Sequence, residues 1–406
     1  MGIVVQKFGG SSVANTEKLF MVCNHIIAEK ERGNKVVVVV SAQGKTTDEL
    51  IKQEKEIKEK VNMREHDVLV SVGEQITIAK LSMCLEKMGH SAISLTGWQV
   101  PIYTNNIHGE ALIDYIDIER IERELNNGNI VIVAGFQGIN ENNDITTLGR
   151  GGSDTTGVAL AVSLRADKCD IYTDVDGVYT GDPNKIDGTM KTKTISYDEM
   201  LELASAGAKV LHNRCVEIAK KHNLKVSVRS TFKPEDEGTE IIDRVEPLEG
   251  ASITGITKQD NNSKVAVLGK NNQIGRLYKV FKLLANNNIN VDMIAQAAGE
   301  DIIKSVSFSI RDKDLDTALE VLENNKEELD IDKIKHYSKL TKVSIVGLGM
   351  MNNPGIAARM FETLYNENIE IKMISTSEIK VSVLVEEELA EKAIRAIHAE
   401  FIKQKI

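Results

Sequence analysis

The chain has little cysteine, no surplus of positive charge and no long apolar run, and each shortage removes a class of function. Cys23, Cys84, Cys169 and Cys215 are scattered along 406 residues with no C-x-x-C spacing. That pattern is neither a disulfide framework nor a sulfur-held zinc site, and it fits reduced, mostly buried thiols. Lysines and arginines number 50 against 60 aspartates and glutamates, a formal net charge of -10. A nucleic acid or an anionic membrane surface would not be attracted overall, so an anionic ligand has to be met by local positive groups. The longest purely apolar run, VVVVV at Val36–Val40, falls far short of the roughly 20 residues that cross a bilayer and reads as a buried strand. The opening MGIVVQKFGG lacks an apolar h-region, and Gln6 stands where a myristoylation signal needs Ser or Thr. A cytoplasmic chain without export signal or lipid anchor is expected.

What is present is a globular composition, 42% hydrophobic and 27% charged, in a chain too long for one ordinary core. Over the first 230 or so residues, short β-branched runs (GIVVQKF, KVVVVVSA, NIVIVAGF, CDIYTDV) alternate with helical patterns such as that near Glu17 to Arg32. Continuous Val/Ile runs separated by helices predict an α/β domain, a mainly parallel sheet sandwiched by helices. The clusters KFGGSS, SAQGKTT, SVGE and GFQG are read as following the strands directly, which gathers them on one rim, where such sheets bind ligands. The doubly charged segment from Asp48 to Asp67 reads as a solvated helix. TFKPEDEGTE at Thr231 to Glu240 ends the alternation, placing a domain junction between there and about residue 262.

Beyond the junction the chain repeats itself. SKVAVLG at Ser263 aligns with TKVSIVG at Thr341, and ANNNINVDMI at Ala285 with YNENIEIKMI at Tyr365, offsets of 78 and 80 residues. Each copy continues into a further strand and helix, so two ferredoxin-like modules are expected in tandem, of the kind that often sense ligands.

TTLGRGGSD, residues 146 to 154, sets one arginine among three glycines. Glycines admit a ligand to the backbone N–H groups, and the guanidinium fork matches a carboxylate or phosphate, so the stretch is suited to holding anions. Two other motifs fail on spacing. SAQGKTT ends like a P-loop, but the required first glycine is Val39; YTDVDGVYTGDP at Tyr172 lacks the third acidic position and the closing Glu of a calcium loop.

Taken together and in order, KFGGSS, SA.G.TT, SVGE, TTLGRGGSD and YTDVDGVYTGDP resemble the aspartate kinases of the amino acid kinase family, and the repeat resembles their paired ACT modules. The resemblance covers nearly the whole chain. It implies an amino acid kinase domain at 1–245 and two βαββαβ ACT modules at 263–340 and 341–406. It also implies transfer of the γ-phosphoryl of Mg2+-ATP to the side-chain carboxylate of L-aspartate, the entry to lysine, threonine and methionine. Such a nucleophile is already ionised at neutral pH, so positioning and charge neutralisation carry the chemistry without a general base.

By the same resemblance Lys7 and Asp154 are the catalytic residues, the ammonium meeting the β and γ phosphates and the carboxylate orienting Lys7 or the metal. Aspartate would be held by Ser41, Thr47, Glu74, Phe136, Arg150, Gly151, Gly152 and Ser153, with Arg150 on the α-carboxylate and Glu74 on the ammonium. ATP would be held by Lys7, Phe8, Gly9, Gly10, Thr173, Asp174, Tyr179, Thr180, Asp182, Pro183 and Lys209, with magnesium arriving on the nucleotide and no protein metal ligand assigned. An amino-acid effector, lysine and in some cases threonine, would meet Asn290, Val291, Asp292 and Gln296 in copy one and Asn368, Ile369, Ser377 and Glu378 in copy two. Copy two carries NNPGIA where copy one has NNQIGR, and Lys372 stands where copy one has Asp292, so the two effector sites are expected to differ. A homo-oligomer through the ACT modules is implied, with no nucleic acid or membrane partner. Two rival functions remain beside this one: a non-catalytic amino-acid sensor on a kinase fold, and an amino acid kinase for another acidic metabolite.

Overall fold

The computed structural model describes residues 2–208, 210–243, 252–269, 275–297, 305–348, 350, 353 and 355–402. They divide into two compact units. The first holds Met1–Val178, Lys191–Ala204 and Lys209–Val245; the second holds Tyr179–Met190, Ser205–Ala208 and Glu246–Ile406. Residues 179–190 and 205–208 therefore fold apart from the stretch 1–245 in which the sequence had placed them.

In chain order the elements up to residue 242 are β1 (Ile3–Phe8), α1 (Thr16–Glu31), β2 (Lys35–Val40), α2 (Thr46–Ile57), α3 (Met63–Val70), α4 (Val72–Lys87), β3 (Ala92–Leu95), β4 (Ile102–Thr104), β5 (Ile113–Ile116), α5 (Glu119–Asn126), β6 (Ile130–Ala134), β7 (Gln137–Ile139), β8 (Ile145–Thr147), α6 (Gly152–Ser163), β9 (Lys168–Thr173), β10 (Val178–Tyr179), β11 (Lys191–Thr192), β12 (Thr194–Ser196), α7 (Tyr197–Ser205), α8 (Asn213–Lys221), β13 (Val226–Ser230) and β14 (Thr239–Ile242). The main sheet runs β12-β14-β13-β9-β1-β2-β6-β3 and is parallel except where β13 meets β14. The five valines of β2 and all of β6 are buried, as covering on both faces demands. A smaller sheet, β5-β4-β7-β8, carries the strand that leads into TTLGRGGSD.

The segment from Asp48 to Asp67 is two helices rather than one solvated one. α2 has no buried residue, as the charge pattern implies, but α3 turns Asp67 fully inward. SVGE is also corrected: it joins α3 to α4 and follows no strand. Residues 63–87 have the length and composition of a membrane-crossing helix. Half of its most apolar 18 residues are buried, and the stretch carries Asp67 and Glu74 into the core of the unit.

In the second unit the elements are β15 (Ser252–Gly269), α9 (Arg276–Asn286), β16 (Ile294–Ala297), β17 (Ser305–Arg311), α10 (Leu315–Asn324), β18 (Ile331–Leu348), α11 (Ile356–Asn366), β19 (Met373–Thr376), β20 (Lys380–Glu386) and α12 (Ala390–Phe401). They form one sheet, β16-β17-β15-β18-β20-β19, with a separate core for each copy. The long strands are shared. Residues 262–269 of β15 pair with β17 and with the first part of β18, whereas residues 252–259 pair with 342–348. Copy two thus takes its last strand from ahead of copy one, so the repeat region begins at about 252 and not at 263. Residues 179–190 join the core of copy two, where Ile186 packs with Ile256, Val343 and Ile397.

Candidate active site

Parallel register sets the carboxyl ends of four strands side by side, with Phe8 opposite Val40 and Tyr172, and Val40 opposite Ala134. The loops that leave them are stitched together by the backbone. Gly9 N donates to Tyr172 O, Ser41 N to Phe8 O and Gly135 N to Val40 O, each at 3.1 Å, and Gly44 N donates to Gly10 O at 3.0 Å. A Cβ on Gly10 would stand 2.8 Å from Ala42 O, so only glycine permits that approach.

Lys7 is the penultimate residue of β1, between Val39 and Ile171. Its side chain is 9% exposed, and Nζ lies 2.5 Å from Oδ1 of Asp154, itself 14% exposed. A Cβ on Gly9 would be 3.5 Å from that Nζ, so the ammonium lies over the glycine loop. Asp154 is the third residue of α6, whose first turn offers orphan N–H groups and the positive end of the helix dipole. Gly151 enters this helix at φ 68°, and a Cβ there would strike His212 at Cβ, 2.3 Å away, and at the ring Cγ, 2.4 Å away. Ser153 is buried against Gly135. Lysine, helix end and bare backbone together make an anion cradle on the rim.

Glu74 stands in the first turn of α4. Oε1 accepts a hydrogen bond from Ala42 N at 2.9 Å, while Oε2 is buried with no partner among the described residues. Burial pushes this carboxyl up to about 8 against the pull of its backbone donors. A buried carboxylate oxygen lacking a donor is costly unless a cation comes to it. Arg150 is exposed between Gly149 and Gly151, and no hydrogen bond or ion pair of its fork is found among the described residues. Ser41 and Thr47 are half-buried at the loop after β2 and the start of α2, and Phe136 takes φ 70° with its N–H donating to Thr156.

The residues expected at ATP are divided. Phe8, Gly9, Gly10, Thr173 and Asp174 belong to the rim of the first unit, where the Thr173 hydroxyl donates to Asp174 at 3.0 Å. Tyr179, Thr180, Asp182 and Pro183 belong to the second unit. The Thr180 hydroxyl is committed there: Oγ1 accepts from Met190 N at 3.0 Å and meets His398 Nε2 at 3.1 Å, while Thr180 O accepts from Ile256 N at 2.8 Å. Its side chain is therefore a core group, not one offered to a nucleotide. Asp182 and Pro183 are exposed. Lys209 lies outside the described residues.

In the regulatory copies, Asn290, Asp292 and Gln296 are exposed, as are Asn368, Ser377 and Glu378. Ile369 is not: it is a core residue of copy two, and its equivalent in copy one is Ile289, also buried. Val291, half-buried, packs against the core of copy one. The left-handed turns fall at Asn288 and Asn368, so the leading pairs of the two sets read from the sequence, Asn290–Val291 and Asn368–Ile369, are out of register by two residues. Asp292 already has a cation, Lys342 of copy two. Residues 271–274, 351, 352 and 354 lie outside the described residues.

Four residues around TTLGRGGSD escaped the sequence reading. Asp67 collects His108, Gly109 and Thr147, and Arg214 donates to Leu148 O at 2.6 Å and Ala111 O at 2.9 Å. A carboxylate in the apolar run DVLVSV, seven residues ahead of Glu74, was the available signal. The clefts lined by Lys191, Lys233 and Asp236, and by His25, Arg229 and Phe232, contain neither Lys7 nor Glu74. The rim is the candidate on chemistry, not on size.

Residues 2–230 match the amino acid kinase family, and residues 265–325 and 343–401 each match the ACT domain. The chain is 51% identical to an aspartokinase of Bacillus sp. (strain MGA3) over 99% of its length and 97% of that protein. It is 50% identical to aspartokinase 2 of Bacillus subtilis (strain 168), covering 99% and 98%. Among solved structures, E. coli aspartokinase III in complex with aspartate and ADP superposes with a TM-score of 0.84 at 26% identity, covering 98% of this chain and 99% of that one. The same enzyme in complex with lysine and aspartate gives a TM-score of 0.74 over the same coverage.

Proposed function

Because the chain belongs to the amino acid kinase family, in its aspartokinase branch with tandem ACT domains, we propose a site-by-site account of how it phosphorylates L-aspartate with ATP. The side-chain carboxylate of aspartate attacks the γ-phosphorus, and the product is 4-phospho-L-aspartate. Both reactants are anions, so the rim has to neutralise charge and align the two oxygens in line. Lys7 stabilises charge as it develops on the transferring phosphoryl oxygens, the Gly9–Gly10 loop and the first turn of α6 supply N–H donors, and Asp154 holds the lysine in place. Arg150 grips the α-carboxylate bidentately, and Glu74 receives the α-ammonium. Ser41, Thr47, Phe136, Gly151, Gly152 and Ser153 line the remainder of the aspartate pocket.

The observation that carries this reading is the Glu74 oxygen, buried and without a donor, on the same rim as the Lys7–Asp154 pair. A sensor has no use for a lysine on a central strand paired to a helix N-terminus. Phe8, Gly9, Gly10, Thr173 and Asp174 of the first unit hold the nucleotide, with Lys209 added by the resemblance. Magnesium supplies further positive charge to the phosphates.

The ACT pair binds an amino-acid effector, lysine and in some conditions threonine, and holds the enzyme in a less active arrangement. It also joins chains into a homodimer, which would cover Ile294 and Ile374 on the outer strands β16 and β19, 55% and 43% exposed. Four buried free thiols support a cytoplasmic location. The catalytic region takes in 1–178, 191–204 and 209–245, and the regulatory region takes in 179–190 and 205–208 with the modules at 263–340 and 341–406 and the shared strand from 252. A hydroxamate assay with ATP, magnesium and a panel of acidic amino acids tests the reading. Acyl phosphate from aspartate is expected; none, or a preference for another acid, overturns it.

A further inference from the structure

Asp67 is a carboxylate with no exposed surface, a placement that is tolerated only when every lone pair is used. Here they are. Oδ1 accepts from Thr147 Oγ1 at 2.5 Å, Oδ2 is 2.8 Å from His108 Nδ1, and Gly109 N lies 3.1 Å from both oxygens. The three partners come from two segments that converge on one turn. Thr147 closes β8 three residues before Arg150, and a Cβ on Gly149 would lie 3.1 Å from Gly109 O, so the His108–Gly109 loop lies directly against the glycine that precedes Arg150. Ala111 N donates to Thr147 O at 2.9 Å and closes the arrangement.

The other end of the same helix leads to Glu74. Asp67 lies in α3, its carbonyl accepts from Ser71 N at 3.1 Å, and the chain passes through Ser71 in a helical conformation into α4. Gln137 Nε2 fixes that joint by donating to Ser71 O at 2.8 Å. Seven residues of nearly continuous helix, a rise of about 10 Å, separate the Asp67 carboxylate from Glu74.

We propose that Asp67 is a positioning residue that sets the separation between Glu74 and Arg150, and so the fit of the enzyme to the paired ammonium and α-carboxylate of its substrate. The inference rests on the assignment of those two residues to aspartate. A rigid rod carries the ammonium's partner, and the rod's buried carboxylate ties down the turn that carries the carboxylate's partner. Neither distance is then left to an exposed loop, which matters because recognition of an amino acid requires both contacts at once.

The test is steady-state kinetics of the full chain with Asp67→Asn, Thr147→Val and Thr147→Ser, set beside Arg150→Lys and Glu74→Gln. Asp67→Asn is expected to raise the KM for aspartate at least about fivefold, with the KM for ATP and kcat at saturating aspartate within about threefold. Thr147→Val, nearly the same shape without the hydroxyl, is expected to give a smaller rise of the same kind, and Thr147→Ser, which restores the donor, to abolish it. Equal increases in both KM values together with a lowered Tm would make Asp67 a fold residue only and overturn the proposal. So would an unchanged KM for aspartate in Asp67→Asn and Thr147→Val while Arg150→Lys and Glu74→Gln raise it. If none of the four variants moved that KM, the assignment of Glu74 and Arg150 would fall, and this inference with it. Should Asp67→Asn not fold, the Thr147 pair decides by itself.

Discussion

Lys342 of the second regulatory copy closes an ion pair on Asp292 of the first, the lysine side chain 4% exposed and the aspartate 44%. Burial pulls the Lys342 ammonium pKa down, and Asp292 opposes it. The carboxylate read from the sequence as part of an effector site is already engaged by an ammonium of the protein.

Removing Asp292 therefore leaves a buried cation uncompensated. Asp292→Ala is expected to cost about 1–3 kcal/mol in urea unfolding, and Asp292→Ala with Lys342→Met to recover most of it. Inhibition curves with lysine and with threonine on the same proteins separate two roles. If the double variant regains stability but not sensitivity to lysine, the carboxylate also serves the effector; if it regains both, the pair is structural.

Glu74 predicts a pH dependence. Its carboxyl, pushed up to about 8 by burial, is largely neutral in the free enzyme at pH 7 and becomes ionised when an ammonium arrives. Binding of aspartate then releases a proton, and the KM for aspartate should fall by up to about tenfold per unit between about pH 6 and pH 8 and level off above. Stability runs the other way. The native state keeps a proton that the unfolded chain loses near 4.5, so this group's contribution declines as pH rises from 4.5 to about 8. Glu74→Gln should flatten both profiles and raise the KM for aspartate; profiles parallel to wild type would remove Glu74 from the site.

Lys7→Ala should lower kcat by roughly three orders of magnitude or more with little change in fold, because its charge matters most when the phosphoryl group is in flight. It also leaves Asp154 without its cation, so Asp154→Asn is expected to give a milder loss. Retention of more than about a tenth of kcat in Lys7→Ala would end the assignment.

Arg150→Lys keeps the charge and loses the fork. The KM for aspartate should rise about tenfold or more while that for ATP moves little. Equal effects on both substrates would reassign Arg150 to the phosphates.

Light scattering at micromolar concentration should give at least a dimer. A monomer would require another account of the exposed Ile294 and Ile374.

The parts that were legible in the sequence are those where local pattern and tertiary role coincide. Val36–Val40 has one possible use in an α/β domain, and Lys7-Phe8-Gly9-Gly10 announces a strand running into a glycine loop. Where they diverge, the reading failed for identifiable reasons. Asp67 sits at the end of a segment dense in charge of both signs, and density alone cannot distinguish the one carboxylate that turns inward from those left in water. The effector turns were set two residues out of register because Asn288, Asn290 and Asn368 look alike as letters, and only the left-handed backbone at 288 and 368 separates them. Thr180 follows the TDVDG run so closely that contiguity suggested one function, yet its hydroxyl closes on a histidine 218 positions further on.

The excursion of residues 179–190 into the core of copy two means that the catalytic part of this protein cannot be obtained by one cut. A fragment ending at residue 243 would still carry Ile186, 3% exposed in the whole chain, and it would carry that residue into water. The fragment would also lack the imidazole that meets Thr180 and the backbone N–H of Ile256. Loss of solubility in such a truncation would then report an orphaned anchor and say nothing about whether catalysis needs the regulatory modules. The sound comparison is a fragment in which Ile186 is made polar, and its yield in solution against the unaltered fragment measures how much of the defect is that one contact.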